Sequence, residues 1–262
     1  MLMEVEPFWS WHTPIAWTGY ILFIDGVIWY RRGESPIRND RAEMVFLALV
    51  SVPLWIIFEE YNKHTLFNWH YVGLPDTLLV RYVGYAWAFA TIWPALLITA
   101  ELIGAIRDRR APAYRRIDPV RIPLDSFAWT SIVAGTVMLL LPVVYPSPWL
   151  AAPVWLGFIF LLDPLNAQQG AESLRGDLRA KHPWRLANLL IAGIVCGLLW
   201  ECWNYWAYTK WVYTVPVPPD IKLFEMPLAG YLGFPVFAVE CFVMYVFARR
   251  LLWRGSWRPT AL

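Results

Sequence analysis

The sequence predicts an all-α membrane protein with seven transmembrane helices, and three observations carry that prediction. Hydrophobic residues make up 58% of the 262-residue chain and charged residues 16%, whereas a soluble domain carries about a quarter charged residues. Seven apolar runs approach the roughly 20 residues needed to cross a hydrocarbon core. The basic residues gather on alternate linkers between those runs, as they do in cytoplasmic loops.

In chain order the predicted spans cover residues 10–30, 44–62, 80–106, 126–145, 149–166, 186–206 and 228–249. Arg31, Arg32, Arg38 and Arg41 follow the first span, and Arg107, Arg109, Arg110, Arg115, Arg116 and Arg121 the third. Arg175, Arg179, Lys181 and Arg185 follow the fifth, and Arg249, Arg250, Arg254 and Arg258 the seventh. These are 18 of the 22 Lys and Arg, leaving Lys63, Arg81, Lys210 and Lys222 for the other side. The positive-inside rule then sets the N-terminus outside and the C-terminus in the cytoplasm, which an odd number of spans requires. The outer segments after spans two and six are rich in Trp, Tyr and Pro and are expected to pack at the headgroup level. Residues 1–262 are expected to form one integral membrane domain. Its start, Met1 to Pro7, lacks the basic region of a cleaved signal peptide.

The chain also repeats itself. Trp17-Thr18-Gly19-Tyr20-Ile21-Leu22-Phe23-Ile24-Asp25 aligns without gaps on Trp155-Leu156-Gly157-Phe158-Ile159-Phe160-Leu161-Leu162-Asp163, at an offset of 138. Phe58-Glu59-Glu60-Tyr61-Asn62 then matches Trp200-Glu201-Cys202-Trp203-Asn204 at 142, and Gly84-Tyr85 matches Gly230-Tyr231 at 146. Seven residues after each Asn stands a Trp, Trp69 or Trp211, and two further a Tyr, Tyr71 or Tyr213. The expected architecture is a 3+1+3 parallel internal repeat: residues 10–106, a linker helix at 126–145, and residues 149–249. Parallel repeats are related by an axis along the membrane normal, and a cavity on that axis receives equivalent residues from each half.

Acids inside such spans are functional candidates, because an unpaired carboxylate at membrane depth is costly. Glu59 and Glu201 are the leading pair. Asn62 and Asn204 lie on the same helix faces as these acids, three residues on, and are expected to orient the carboxyls. The competing reading is a Glu–Asn contact that only packs helices. Glu240 lies mid-span in the seventh helix and Glu101 in the third, so both are expected to face the bundle. Glu225 opens the seventh span, where a carboxylate also suits a helix N-terminus. Asp163 is expected to cap the end of its own helix.

Several classes of chemistry are excluded. The net charge of +2 gives no electrostatic footprint for nucleic acid. Cys196, Cys202 and Cys241 have no CxxC or Cys/His spacing, and the four His lack ligand spacing, so neither disulfide nor metal is expected. There is no Gly-rich phosphate loop, Gly-x-Ser-x-Gly elbow or Asp-rich diphosphate motif. The seventh span has no Lys for a retinal Schiff base. No cofactor is expected.

Leu199-Trp200-Glu201, Trp211-Val212-Tyr213 and Phe224-Glu225-Met226-Pro227-Leu228-Ala229-Gly230-Tyr231 resemble, in order, the membrane lycopene cyclase domain of the carotenoid pathway. That domain is itself a repeated three-span unit. Its Pro-Leu is usually followed by two Glu, where this chain has Ala229-Gly230 and carries the acid ahead of the proline. The span number and a Trp-Glu pair are also similar to the seven-span meroterpenoid and indole-diterpene cyclases. The resemblance implies a membrane-embedded, non-redox cyclase or isomerase of a terpenoid or carotenoid entering from the bilayer. Glu201, with Glu59 as its first-half counterpart, would be the proton donor. Asn62, Asn204, Trp69, Trp211, Tyr71, Tyr213, Glu225 and Glu240 would line the substrate site. Two alternatives stand beside it: a small-solute carrier laid out like the SWEET proteins, and a membrane scaffold without catalysis.

Overall fold

The computed structural model describes residues 5–107, 120–216, 221–253 and 260. Arg109, Arg110, Arg115, Arg116, Arg254 and Arg258, on which part of the predicted charge asymmetry rests, lie outside the described residues. Among the described residues there are nine helices. In chain order they are α1 (His12–Arg32), α2 (Pro36–Asn39), α3 (Arg41–Tyr61), α4 (Leu78–Arg107), α5 (Ser126–Val144), α6 (Ala151–Gln168), α7 (Leu174–Arg179), α8 (Trp184–Trp206) and α9 (Gly233–Leu252).

Six of them, α3, α4, α5, α6, α8 and α9, are long and apolar enough by length and composition to cross a membrane. The count falls one short of the expected seven. The missing helix is α1, which is 21 residues long but carries Asp25 and the polar aromatics Trp17, Tyr20, Trp29 and Tyr30 in its middle and end. Those residues lower its hydropathy without shortening it.

Two helices form the core. α4 packs between α1 and α3, and α9 packs between α6 and α8, with α5 against the outer side of α6. The central pair meets at Trp93, fully buried, whose indole donates to the Cys241 carbonyl at 2.9 Å. α4 also packs along α8, where the Cys196 thiol donates to the Thr99 hydroxyl at 3.4 Å, and α1 reaches α4 through the Tyr20 and Thr99 hydroxyls, 2.8 Å apart. The cysteines are free, Cys196 and Cys241 buried and Cys202 partly so.

Each half has a short helix after its first long one, and both are held by the same device. Asp25 accepts from the Ser35 hydroxyl and the Ile37 amide, each at 2.8 Å, at the start of α2. Asp163 accepts from the Leu174 and Arg175 amides at 2.7 and 3.0 Å, at the start of α7. Asp163 therefore holds the next helix and does not cap its own. An anionic acceptor suits a helix N-terminus because those amides lack intrahelical partners.

Beside these short helices the bundle is closed by a buried ionic cluster. Glu172 receives Arg185 at 2.6 Å and Arg249 at 2.5 Å, Arg185 also pairs with Asp177, and Arg249 reaches Glu43 at 2.7 Å. Thr260 joins it, its amide and hydroxyl both bonded to Glu172. Burial opposes ionisation of Glu172, yet the two guanidinium groups outweigh it and hold the carboxyl below the ordinary carboxylate range.

The aromatic-rich segments after α3 and α8 form short strands. After a single π-helical turn, Asn62–Leu66, the chain forms β1 (Trp69–Val72), which pairs antiparallel with β2 (Lys210–Tyr213). A second, very short pair, β3 (Lys222–Leu223) and β4 (Met226–Pro227), precedes α9. Strand pairing satisfies backbone groups that an irregular segment next to lipid would leave open.

Candidate functional site

At the end of the bundle that carries β1 and β2, the helices enclose a cavity of about 520 Å³. This falls within the roughly 300–1,000 Å³ of pockets that enclose a small organic ligand. The N-terminal parts of α1, α4, α6 and α9 and the C-terminal parts of α3 and α8 all contribute to its wall. Both halves of the chain therefore line one space. Among the described residues Glu and Asp are absent from the lining.

The positions of the strands follow from the two asparagines. Asn62 donates to the Trp69 carbonyl at 2.8 Å and accepts from the Asn68 and Trp69 amides at 2.7 and 3.1 Å. Asn204 donates to the Trp211 carbonyl at 2.8 Å and accepts from its amide at 2.9 Å. Each side-chain amide thus closes a loop back onto its own helix end like one more rung of a ladder. The expectation that they orient the Glu carboxyls finds no hydrogen bond behind it among the described residues: both amides bond loop backbone, and the carboxyls bond Trp55, Tyr71 and Tyr213 instead.

Residues two apart in a strand face the same way, and the ladder sets Trp69 opposite Tyr213 and Tyr71 opposite Trp211. All four side chains line the cavity. Behind them stand the acids. The Tyr71 hydroxyl donates to Glu59 at 2.6 Å, and the Trp55 indole donates to the same oxygen at 2.8 Å. The Tyr213 hydroxyl donates to Glu201 at 2.7 Å while accepting from the Trp211 indole at 2.7 Å. Glu201 is fully buried, and its second oxygen has no partner among the described residues. Neither carboxyl lines the cavity; a tyrosine stands between each acid and the space. Burial first, and then the neighbouring carboxyl, push both phenols well above their ordinary range, so they remain hydroxyl donors.

The other expected site residues are scattered. Glu225 pairs with Lys210 at 2.5 Å, and that lysine lines the cavity while Glu225 does not. Glu240 is fully buried with neither carboxyl oxygen bonded among the described residues, one turn beyond Phe237 of the cavity wall and outside the lining. Glu101 is buried and lies 3.7 Å from Arg32.

Aromatic side chains from within the long helices form much of the wall. Trp17 packs on Trp200 with ring centres 5.0 Å apart, and Trp155 stacks on Phe58 at 5.1 Å. Each pair joins the first long helix of one half to the motif helix of the other. Phe237 sits edge-on to Trp155 at 5.1 Å. The signal for Trp17 and Trp155 was present, since both stand in the ungapped Asp-bearing block. Comparison with family models, with curated proteins and with solved structures finds no match to this chain.

Proposed function

We propose that the chain is a seven-span membrane protein, N-terminus outside, built from two parallel three-helix units, and that its cavity performs acid-initiated, non-redox cyclisation or isomerisation of a lipophilic terpenoid. What supports the repeat is the recurrence of whole devices: Asp25 with Asp163, Asn62 with Asn204, and the Tyr71–Glu59 pair with Tyr213–Glu201. The resemblance of the Trp200-Glu201 region to membrane terpenoid cyclases points the same way.

The observation that carries the chemistry is a buried carboxyl bonded by a phenol of an aromatic cavity wall, at 2.7 Å for Glu201 and Tyr213. In the proposed cycle Glu201 starts protonated. Tyr213 gives its phenolic proton to a double bond or epoxide of the substrate, and Glu201, turned so that its proton meets the phenol, replaces it. The cation formed on the substrate faces Trp17, Trp69, Trp155 and Trp211, each contact worth about 2 kcal/mol when desolvated. A proton leaves carbon at the end through Tyr71 to Glu59, in carboxylate form, and exchange with water at the cavity mouth resets both acids. No electrons are transferred.

The test is conversion of supplied isoprenoid substrates by purified protein in lipid, with Glu201→Gln and Glu59→Gln at matched folded amounts. Loss of product in Glu201→Gln supports the proposal; full conversion in both variants sinks it.

A further inference from the structure

Four of the 22 Lys and Arg fall on the Trp-rich side of the predicted topology, and two of these, Arg81 and Lys210, line the cavity. Lys210 is neutralised by Glu225. Arg81, in the first turn of α4, has no acidic partner among the described residues. Its Nε and Nη2 both donate to the Pro75 carbonyl, at 3.0 and 2.8 Å, which fixes the fork and leaves Nη1 unused. A held, half-buried guanidinium with a spare donor, beside an aromatic space whose described lining holds no acid, matches one kind of ligand. We infer that the cavity takes a single-chain lipid with an anionic end, a carboxylate or a phosphate, whose charge docks on Arg81 while its hydrocarbon chain fills the aromatic chamber.

Arginine suits this role because its planar fork bonds carboxylate and phosphate in two places at once. The volume agrees with a chain of farnesyl or geranylgeranyl size, comparable to the drug-sized ligands of ordinary pockets. The inference deepens the terpenoid reading above and rests on it for the nature of the chain, but it concerns binding alone. It excludes a pure hydrocarbon polyene as the preferred ligand.

Three probes with one tail separate the terms: farnesol, farnesoate and farnesyl phosphate, titrated against the detergent-purified protein by quenching of tryptophan emission. Wild type is expected to bind both anions about tenfold or more tighter than the alcohol, the scale of one charge-assisted hydrogen bond. Arg81→Gln should lose that preference, its thermal unfolding in the same detergent reporting the fold, and Arg81→Lys should keep most of it. The two anions, compared with each other, distinguish carboxylate from phosphate. Equal wild-type affinity for alcohol and anions overturns the inference, as does an anion preference that survives in Arg81→Gln. Both outcomes leave the Glu201 conversion test standing. Failure of all three probes to bind removes the chamber as a terpenoid site and takes both readings down.

Discussion

Trp211 stands opposite Tyr71 in the β1–β2 ladder, with Trp69 opposite Tyr213 two positions along. The aromatic from one half therefore lies across from the phenol of the other, and all four rings face one cavity. The ladder is what turns two separate helix ends into one wall.

Replacing either asparagine should loosen that wall. Asn62→Ala and Asn204→Ala each strand buried backbone donors and acceptors, at about 1–3 kcal/mol. Both variants should unfold at lower temperature in detergent, and binding of a cavity ligand should weaken by more than the fall in folded fraction. Asn62→Asp keeps the acceptor for the Asn68 and Trp69 amides and loses only the donation to the Trp69 carbonyl. It should fall between wild type and alanine.

The long helices were legible because apolar runs of that length have few other uses. The Asn-to-Trp spacing was legible as a recurrence, but its meaning was not, because a side chain bonding backbone seven residues on leaves no periodic pattern. The Trp69-x-Tyr71 and Trp211-x-Tyr213 spacing is the two-residue period of a strand. Read beside lipid-length helices, it looked like an interfacial belt. The pairing itself joins residues 69–72 to 210–213, a separation that no local signal spans. The tyrosine screens in front of Glu59 and Glu201 follow from that pairing and were equally invisible.

The proposed seven-span topology makes its own prediction. In a background without the native cysteines, Lys63→Cys and Lys222→Cys should react with a membrane-impermeant maleimide in intact cells. Arg38→Cys and Lys181→Cys should react only after lysis. Labelling of all four from one side would rule the topology out.

Close approach of α8 and α9 depends on Gly193 and Gly197, one turn apart. A Cβ at Gly193 meets the Phe234 carbonyl and the Pro235 backbone, and one at Gly197 meets the Phe234 ring. Alanine at either site should destabilise the protein by about 1–3 kcal/mol through overpacking, with Gly193 the worse because backbone cannot step aside. Gly19→Ala is the control: nothing lies within 4 Å of its added Cβ, so helix propensity favours it slightly. Thermal unfolding of the three variants in the same detergent checks the order.

The ionic cluster predicts a pH dependence. Glu172 has a folded-state pKa below its ordinary 4.5, because Arg185 and Arg249 overcome its burial. The sign follows: its contribution is complete above 4.5 and is lost as pH falls through the lower folded value. Asp177 works in the opposite direction, since burial outweighs Arg185 and raises its pKa. Wild-type protein should lose thermal stability below about pH 4.5, and Asp177→Asn should show that loss more steeply. Glu172→Gln should be less stable by about 1–3 kcal/mol at neutral pH, because Arg185 and Arg249 lose the carboxylate they share while keeping Asp177 and Glu43. Its unfolding temperature should no longer fall in that acidic window.

The phenol screens give the sharpest test of the proposed chemistry. Tyr213→Phe keeps the ring in the wall and removes the hydroxyl that bonds Glu201. It also leaves the Trp211 indole without its acceptor, so about 1–3 kcal/mol of stability should go with it, and rates must be compared at equal folded amounts. The expected fall in conversion is about 10²–10⁴-fold, the range for a lost general acid. Glu201→Gln should fall by a similar factor. Two groups passing one proton act as a unit, so Tyr213→Phe combined with Glu201→Gln should be scarcely slower than either alone. Tyr71→Phe, on the proton-accepting side, should change the ratio of products through slower deprotonation while substrate consumption continues. Multiplying losses in the double variant would mean that Glu201 acts independently of its tyrosine, and the relay would have to be given up.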